Sequence, residues 1–373
     1  MKVGVINNLY WPIGRGGAET IAKLIAEGLK ERGDDVFIIS TWNNADKKEG
    51  DVYLVKSLYH KLSLVPIIFR IFWHLFNLFN FVNYFKLKKI LENEKPDLII
   101  THNLMGVGFL TPLLLRRARI KHIHVLHDMQ LIHPSGLMYY KKERVMDGFL
   151  AKTYSFLCRQ LFSSPVIVIS PSAWLMGEHV KRGFFAKSER KIIFNPVIIN
   201  FAPRASNVHA NLQFLYVGQL EQHKGIIYLI EAFNLARKKM GACQLKIIGG
   251  GRLLEAVKIL VKKNPDIILL GKRDRDFVLE SMKNSDYLIM PSVCYENSPT
   301  VIYEAASVGL PAIATAIGGT PELIEKFGGL LFEPGDVHDL VEKLIYASEN
   351  KIEIKGDERV KMGIKGYLDE IGV

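Results

Sequence analysis

The sequence predicts an α/β fold made of two doubly wound, Rossmann-like domains. Three observations carry this. Short, near-continuous apolar runs alternate with amphipathic helical patterns along the chain, as expected of parallel strands covered on both faces. The scheme is stated once in the first half and repeated in the second, and 373 residues suffice for two domains with a core each. Glycines and polar residues cluster just after the apolar runs, where such sheets bind their ligands.

In the first half the predicted strands are Lys2–Ile6, Val36–Ser40, Leu98–Thr101, His122–Leu126, Val166–Ile169 and Ile192–Phe194. After the first comes Gly14-Arg15-Gly16-Gly17-Ala18-Glu19, leading into an amphipathic helix that Gly33 is placed to end. Its glycines permit close backbone approach to a ligand, and an ordinary turn is the alternative. Residues 62–91 are crowded with Phe69, Phe72, Trp73, Phe76, Phe79, Phe81, Tyr84 and Phe85, and Arg70 and Lys86 bracket an uncharged stretch too short for a comfortable membrane span. His74, Asn77, Asn80 and Asn83 recur every third residue and draw a narrow polar stripe along one long helix. Either its wide apolar face is buried on the first sheet, or it lies in a membrane interface beside Lys86, Lys88 and Lys89. His127 and Asp128 follow the fourth strand, and a histidine there is a site candidate, although a single histidine is more often structural.

Asn195 to Leu212 carries Pro196 and Pro203 without periodicity and reads as the linker. Beyond it the strands are Phe214–Val217, Leu245–Ile248, Ile267–Leu270, Tyr287–Met290 and Ala312–Thr315. Gly218-Gln219-Leu220-Glu221-Gln222-His223-Lys224-Gly225 follows the first of these, with Lys224 able to meet a phosphate as a point charge. Gly249-Gly250-Gly251 and Gly318-Gly319-Thr320-Pro321-Glu322 follow others, the latter with a capping Thr and a Pro at a helix start. After Met290, Ser298 and Pro299 are expected as cap and first residue of a helix that contains Glu304, with Glu296 in the loop before it. Such a helix start is a ready phosphate site, and two carboxylates around it suit the hydroxyl groups of a phosphorylated sugar. Were both in one helix they would stand about 12 Å apart along the axis. That exceeds the roughly 5 to 9.5 Å of glycosidase carboxylate pairs. Asp274-Arg275-Asp276 superficially resembles an acidic metal motif, but its place at a helix entry makes Asp274 an ordinary cap, so no metal is expected there.

Charge is uneven: residues 1–200 hold 28 Lys/Arg against 16 Asp/Glu, a balance of +12, whereas residues 201–373 balance at −1. The basic half is expected to meet something anionic. No basic-aromatic RNA signature, zinc finger or clear helix-turn-helix supports nucleic acid, so a membrane surface or phosphorylated lipid is the better expectation. The first strand begins at Lys2, leaving no room for a leader, and Cys158, Cys243 and Cys294 form neither a metal spacing nor a disulfide set. A cytosolic protein is expected.

Together these motifs resemble the retaining GT-B glycosyltransferases, specifically glycosyltransferase family 4 (group 1). The resemblance is strongest from Gly218 to Pro334, in the Glu296/Glu304 spacing, Gly309-Leu310-Pro311 and Gly318-Gly319-Thr320-Pro321-Glu322. Gly16-Gly17-Ala18-Glu19, His127-Asp128, Ser170-Pro171-Ser172 and Asn195-Pro196-Val197 match first-domain landmarks in order. It implies two domains facing across a cleft: an acceptor domain over 1–197, a nucleotide-sugar domain over 198–355 and a short helical segment over 356–373. It further implies that Glu304 binds the ribose, Glu296 and His127 the donor sugar, and Lys224 the diphosphate, helped by the backbone of Asn297, Ser298 and Thr300. Gly16 and Gly17 would cover the phosphates, and the base would sit near Gly271 and Lys272. The expected chemistry is metal-independent, cofactor-free, retaining hexosyl transfer from a nucleotide-diphosphate sugar to a glycan or polyprenyl-linked acceptor in surface polysaccharide synthesis, peripheral on the cytoplasmic face of a membrane.

Two features depart from the family pattern. Gln219 stands where an Arg is usual, removing one diphosphate cation, for which Arg252 or Arg15 could compensate. The chain also stops soon after Lys361-Met362-Gly363, where relatives usually continue into a helix crossing back to the first domain, so either a short interdomain clasp or an acceptor domain steadied by a membrane is expected. The alternatives are a GT-B relative that epimerises or hydrolyses a nucleotide-sugar, and a non-catalytic nucleotide-sugar binder.

Overall fold

The computed structural model describes the chain except for residues 11–15, 44–45, 197–210, 353 and 356–362. Gly14 and Arg15, Val197 and most of the expected linker therefore lie outside the described residues. The chain divides into two compact units. The first comprises 1–138, 143–196 and 363–373, and the second comprises 139–142 and 197–362.

The first unit holds an eight-stranded sheet: β1 (Lys2–Ile6), β2 (Asp35–Trp42), β3 (Lys47–Glu49), β4 (Val52–Lys56), β5 (Leu98–Thr101), β6 (Lys121–Val125), β7 (Ile167–Ser170) and β8 (Glu189–Ile192). Their spatial order is β3-β4-β2-β1-β5-β6-β7-β8, and only the β3–β4 pairing is antiparallel. β3 and β4 were not predicted; β4 (Val-Tyr-Leu-Val-Lys) is a short interior strand, whereas β3 beside it is wholly polar, and an edge strand needs no apolar run. The same reason corrects the expected strand at Ile192–Phe194: the pairing partner of β7 is the exposed edge segment Glu189–Ile192. α1 (Gly17–Glu31) covers one sheet face through Ile21, Ile25 and Leu29, packed against Val3, Val5 and Ile100. Gly33 follows its end, as expected.

The long helix expected over 62–91 is broken. A 3₁₀ turn (Leu58–Leu64) leads into α2 (Ile67–Leu78), and α3 (Phe81–Glu94) starts afresh at Asn80, whose Oδ1 accepts the Asn83 N–H at 3.0 Å. The polar stripe faces inward: Asn77 is 1% exposed and Asn83 2%. Asn77 Oδ1 accepts the Gly106 N–H at 2.7 Å, and Asn83 Nδ2 donates to the carbonyls of Gly106 and Val107. Phe69, Phe72, Phe76, Phe79, Phe81 and Phe85 are left on the outside. After α4 (Thr111–Arg117), α5 (Phe149–Leu161) and α6 (Ala173–Lys181), the chain enters the second unit.

That unit is a six-stranded, all-parallel sheet ordered β11-β10-β9-β12-β13-β14, with β9 (Leu212–Val217), β10 (Cys243–Ile248), β11 (Ile267–Gly271), β12 (Tyr287–Met290), β13 (Ala312–Thr315) and β14 (Gly329–Phe332). Each of the five predicted strands is present, with bounds shifted by at most two residues. Its helices are α7 (Ile226–Ala236), α8 (Leu254–Val261), α9 (Arg275–Lys283), α10 (Thr300–Ser307), α11 (Thr320–Phe327) and α12 (Val337–Glu349). Asp274 caps α9, its Oδ1 accepting the Phe277 N–H at 2.9 Å, as expected of it.

Two caps differ from expectation. Pro299, not Ser298, occupies the N-cap position of α10, because the Ser298 hydroxyl is engaged with the Tyr303 hydroxyl at 2.6 Å. Thr320 opens α11 from within the helix behind Gly319, whose N–H is held by the Glu296 carbonyl at 2.8 Å. At the C-terminus, where a short helical segment is expected over 356–373, a helix is present. α13 (Ile364–Ile371) belongs to the first unit and buries Tyr367, Leu368 and Ile371 in the core beneath α1. It lies so close that a Cβ at Gly28 would sit 2.4 Å from Ile364 Cγ1.

Candidate active site

In an open parallel sheet the ligand crevice forms where the strand order reverses, outside the strands' carboxyl ends. In the second unit that point lies between β9 and β12. The loop after β9 carries Lys224 and the loop after β12 carries Glu296, so topology alone brings them together. Lys224 Nζ meets Glu296 Oε1 at 2.5 Å, and the Ser292 hydroxyl donates to the same oxygen at 2.7 Å. The two loops are also tied through their backbones, the Val293 N–H donating to the His223 carbonyl at 2.9 Å.

Two glycines make this approach possible. Gly225, at φ +70°, ends the Lys224 turn where a Cβ would fall 1.8 Å from the Pro291 carbonyl oxygen. Gly318, at φ +65°, lies where a Cβ would fall 2.2 Å from the Glu296 carbonyl oxygen. No side chain fits either position without displacing backbone.

Burial pushes the Glu296 carboxyl upward, but the Lys224 charge and the hydrogen bonds from Lys224 and Ser292 outweigh it and hold the group below its ordinary range. Burial likewise opposes the Lys224 ammonium, and the Glu296 charge overcomes that and raises it. The result is a half-buried ion pair at the threshold of α10. Glu304 lies within α10, where burial pushes its carboxyl up, and the Arg275 guanidinium 3.9 Å away partly offsets this. Arg275 was passed over in the sequence because its neighbours suggested only a helix cap.

The remaining expected residues have different surroundings. Gln219 is exposed, and its carbonyl accepts the Tyr216 hydroxyl at 2.8 Å. The Arg252 side chain points to solvent, 3.8 Å from Glu221. Gly271 closes β11 at φ +71°, and Lys272 beside it is exposed. Asn297, Ser298 and Thr300 line the approach to α10.

In the first unit the reversal falls between β1 and β5, whose carboxyl ends are laced by Asn8 N–H to Asn103 O at 2.8 Å and Asn103 N–H to Asn7 Oδ1 at 3.1 Å. His127 stacks on His102, with Nε2 2.7 Å from His102 Nδ1, and burial lowers its pKa to about 4. Burial also pushes Asp128 up to about 7, against hydrogen bonds from the Gln130 N–H and Asn103 Nδ2. His102 and Asn103 carried no sequence signal beyond their place after a strand. Gly16 is the N-cap residue of α1, with the Glu19 carboxyl group folded back over it, and Gly17 is the first helical residue.

Comparison with known proteins shows the family and the fold. The family model described as Glycosyltransferase Family 4 matches residues 15–201, and that described as Glycosyl transferases group 1 matches 201–369. An "Uncharacterized 42.6 kDa protein in cps region" of Klebsiella pneumoniae is 25% identical over 352 residues, 91% of each chain. The "Uncharacterized glycosyltransferase MJ1178" of Methanocaldococcus jannaschii is 26% identical over 94% of this chain and 89% of its own. A UDP-Gal:alpha-D-GlcNAc-diphosphoundecaprenol alpha-1,3-galactosyltransferase of Escherichia coli is 29% identical over 146 residues, 37% of each chain. Among solved structures, Anabaena Alr3699/HepE in complex with UDP superposes with a TM-score of 0.72 at 18% identity, covering 100% of this chain and 98% of its own. Likeness at that identity concerns the fold, which is GT-B.

Proposed function

The chain belongs to glycosyltransferase family 4, and from that premise we propose that it moves a sugar, with retention, from a nucleotide-diphosphate donor to a glycan or lipid-linked glycan acceptor. The observation that carries this is the Lys224–Glu296 pair at the start of α10. Transfer releases a nucleoside diphosphate, so the main task is to stabilise negative charge growing on its phosphate oxygens. Lys224 turns from Glu296 to the diphosphate, and the N-terminal N–H groups of α10 add their dipole, which needs no metal. Glu296, relieved of its counter-ion, accepts hydroxyl groups of the donor sugar, and Glu304 accepts those of the ribose. The backbone of Asn297, Ser298 and Thr300 lines the phosphates, with Gln219 as a neutral hydrogen-bond donor. Gly271 and Lys272 border the base, Gly16 and Gly17 approach the phosphates, and neutral His127 meets the donor sugar.

The UDP in the Anabaena neighbour and the UDP-sugar and diphosphoundecaprenol in the Escherichia coli relative's name support this donor and acceptor chemistry. A place in surface polysaccharide synthesis follows from such an acceptor. The outward aromatic face of α2 supports peripheral attachment to an anionic membrane on its cytoplasmic side, and no described helix is long and apolar enough to cross one.

Calorimetric titration with a panel of nucleotide-sugars and free nucleoside diphosphates, on wild type and Lys224→Ala, tests the reading. One donor should bind to wild type and bind at least tenfold more weakly to the variant. A folded wild type that binds none of them would overturn it.

A further inference from the structure

α5 opens on the two most exposed large apolar side chains among the described residues, Phe149 at 83% and Leu150 at 73%. The helix is not poorly docked: Ala151, Tyr154, Ser155 and Cys158 are buried along its inner face. Its outer face carries Lys152, Thr153 and Gln160 beside an apolar patch, in which Phe149 and Leu150 are joined by Val145 before the helix and Phe156 two turns into it. Cations rim this patch. Arg144 and Lys152 stand beside it, and the Arg159 guanidinium lies 5.2 Å over the Phe156 ring. Of the neighbouring acids, Asp147 is held by Arg182 at 3.1 Å, and Glu143 is half-buried.

The buried sides of α5 and α2 meet through Phe109. The Phe109 N–H donates to the Asn77 carbonyl at the end of α2 at 3.1 Å, and the Phe109 ring packs on Tyr154 of α5 at 6.4 Å. One buried residue therefore separates two helices that each turn phenylalanines outward, Phe72 and Phe76 on one and Phe149 on the other. The Tyr154 hydroxyl also donates to the Gln130 carbonyl at 2.9 Å, which ties α5 to the loop carrying His127 and Asp128.

We propose that the outer face of α2 and the start of α5 form one two-pronged docking surface for an anionic lipid bilayer, which sets the loop after β6 against the membrane to receive a lipid-linked acceptor. This rests on the lipid-linked acceptor proposed above. A bilayer is the occupant that fits. Protruding aromatic side chains with cations beside them suit an interface of acyl chains and anionic headgroups. A second copy would bring two basic surfaces together, since residues 1–200 carry a balance of +12.

The test is co-sedimentation of the full chain with phosphatidylcholine vesicles, with and without phosphatidylglycerol. Wild type should partition to the anionic vesicles, less so at high salt, and Phe149→Ser/Leu150→Ser and Phe72→Ser/Phe76→Ser should each weaken partitioning by about tenfold or more. A fluorophore at Leu150→Cys should shift to the blue on adding those vesicles, a readout that does not depend on the serine variants folding. No wild-type binding overturns the proposal. So does normal binding by the Phe149/Leu150 variant with an unshifted label, which would leave α2 as a single contact. Self-association abolished by the Phe149/Leu150 variant, without vesicle binding, would assign the surface to a second copy. Transfer to a short water-soluble acceptor should be unchanged in both variants. Its absence in wild type would count against the transferase reading and not against docking.

Discussion

Lys224 and Glu296 are each other's counter-ion at the point where a donor diphosphate would arrive, so the pair should serve stability and activity in separable ways. Removing one partner leaves the other charge partly buried and unmatched, which costs about 3–5 kcal/mol, whereas replacing both with apolar residues is often nearly neutral. Urea denaturation should therefore find Lys224→Met and Glu296→Gln each destabilised and Lys224→Met/Glu296→Leu close to wild type. Transfer should fall by about 10²–10³-fold in all three. A double variant that regained activity would show the pair to be structural. Asp128 gives a second residue-scale test. Its unfolded carboxyl titrates near 3.8 and the buried one at about 7, so between those values the native state holds a proton the unfolded chain has lost. Stability contributed by this group should accordingly fall as pH rises through that window and level off above it. Asp128→Asn should flatten the pH dependence of the urea midpoint, and an unchanged slope would sink the assignment. Lys224, Glu296 and His127 were legible in the sequence because strand ends and glycine turns announce them. His102, Ser292 and Arg275 were not, because each owes its place to a tertiary contact with no local signature.

At the scale of elements, the segment 62–91 shows what periodicity can and cannot say. The spacing of His74, Asn77, Asn80 and Asn83 marks an amphipathic axis, but a stripe of amides has no sign: it can face water or a set of backbone groups needing partners. The Gly106–Val107 backbone supplies those partners, so the stripe turns inward and the aromatic residues turn out. Phe79 and Asn80 then break the helix, because Asn80 is a better cap than an interior residue. Stability should follow this inversion. Asn77→Leu leaves the Gly106 N–H buried without its acceptor and should cost about 1–3 kcal/mol. Phe72→Ser, at a side chain 67% exposed, should stay within about 0.5 kcal/mol of wild type. Chemical denaturation of the two variants would decide it, and the opposite ranking would mean that the aromatic face is covered by the protein.

For the whole molecule, the doubled strand–helix plan was legible because parallel strands covered on both faces must be apolar throughout, whereas edge strands such as β3 and β8 escape that requirement. The path of the chain between the units was not legible. Residues 139–142 belong to the second unit, where the Tyr140 N–H donates to the Val293 carbonyl at 3.1 Å, and residues 363–373 return to the first. A segment as short as α13 looks incomplete in the sequence, because its partner surface on α1 lies over three hundred positions away. That surface is specific. Gly28 leaves room for Ile364, and Leu368 and Ile371 join the core formed by Ile21, Ile25 and Leu29. Truncating either Leu368 or Ile371 to Ala should cost about 2–5 kcal/mol, a large share of an ordinary domain's stability. The loss should be confined to the unit that owns the contact. Hydrogen exchange should quicken in peptides from α1, β1 and β5 of Leu368→Ala/Ile371→Ala, while peptides spanning Lys224 and Glu296 keep wild-type protection. Uniformly faster exchange would show that the two units unfold as one. Unchanged exchange in α1 would show that α13 only rests on the first unit and does not complete its core.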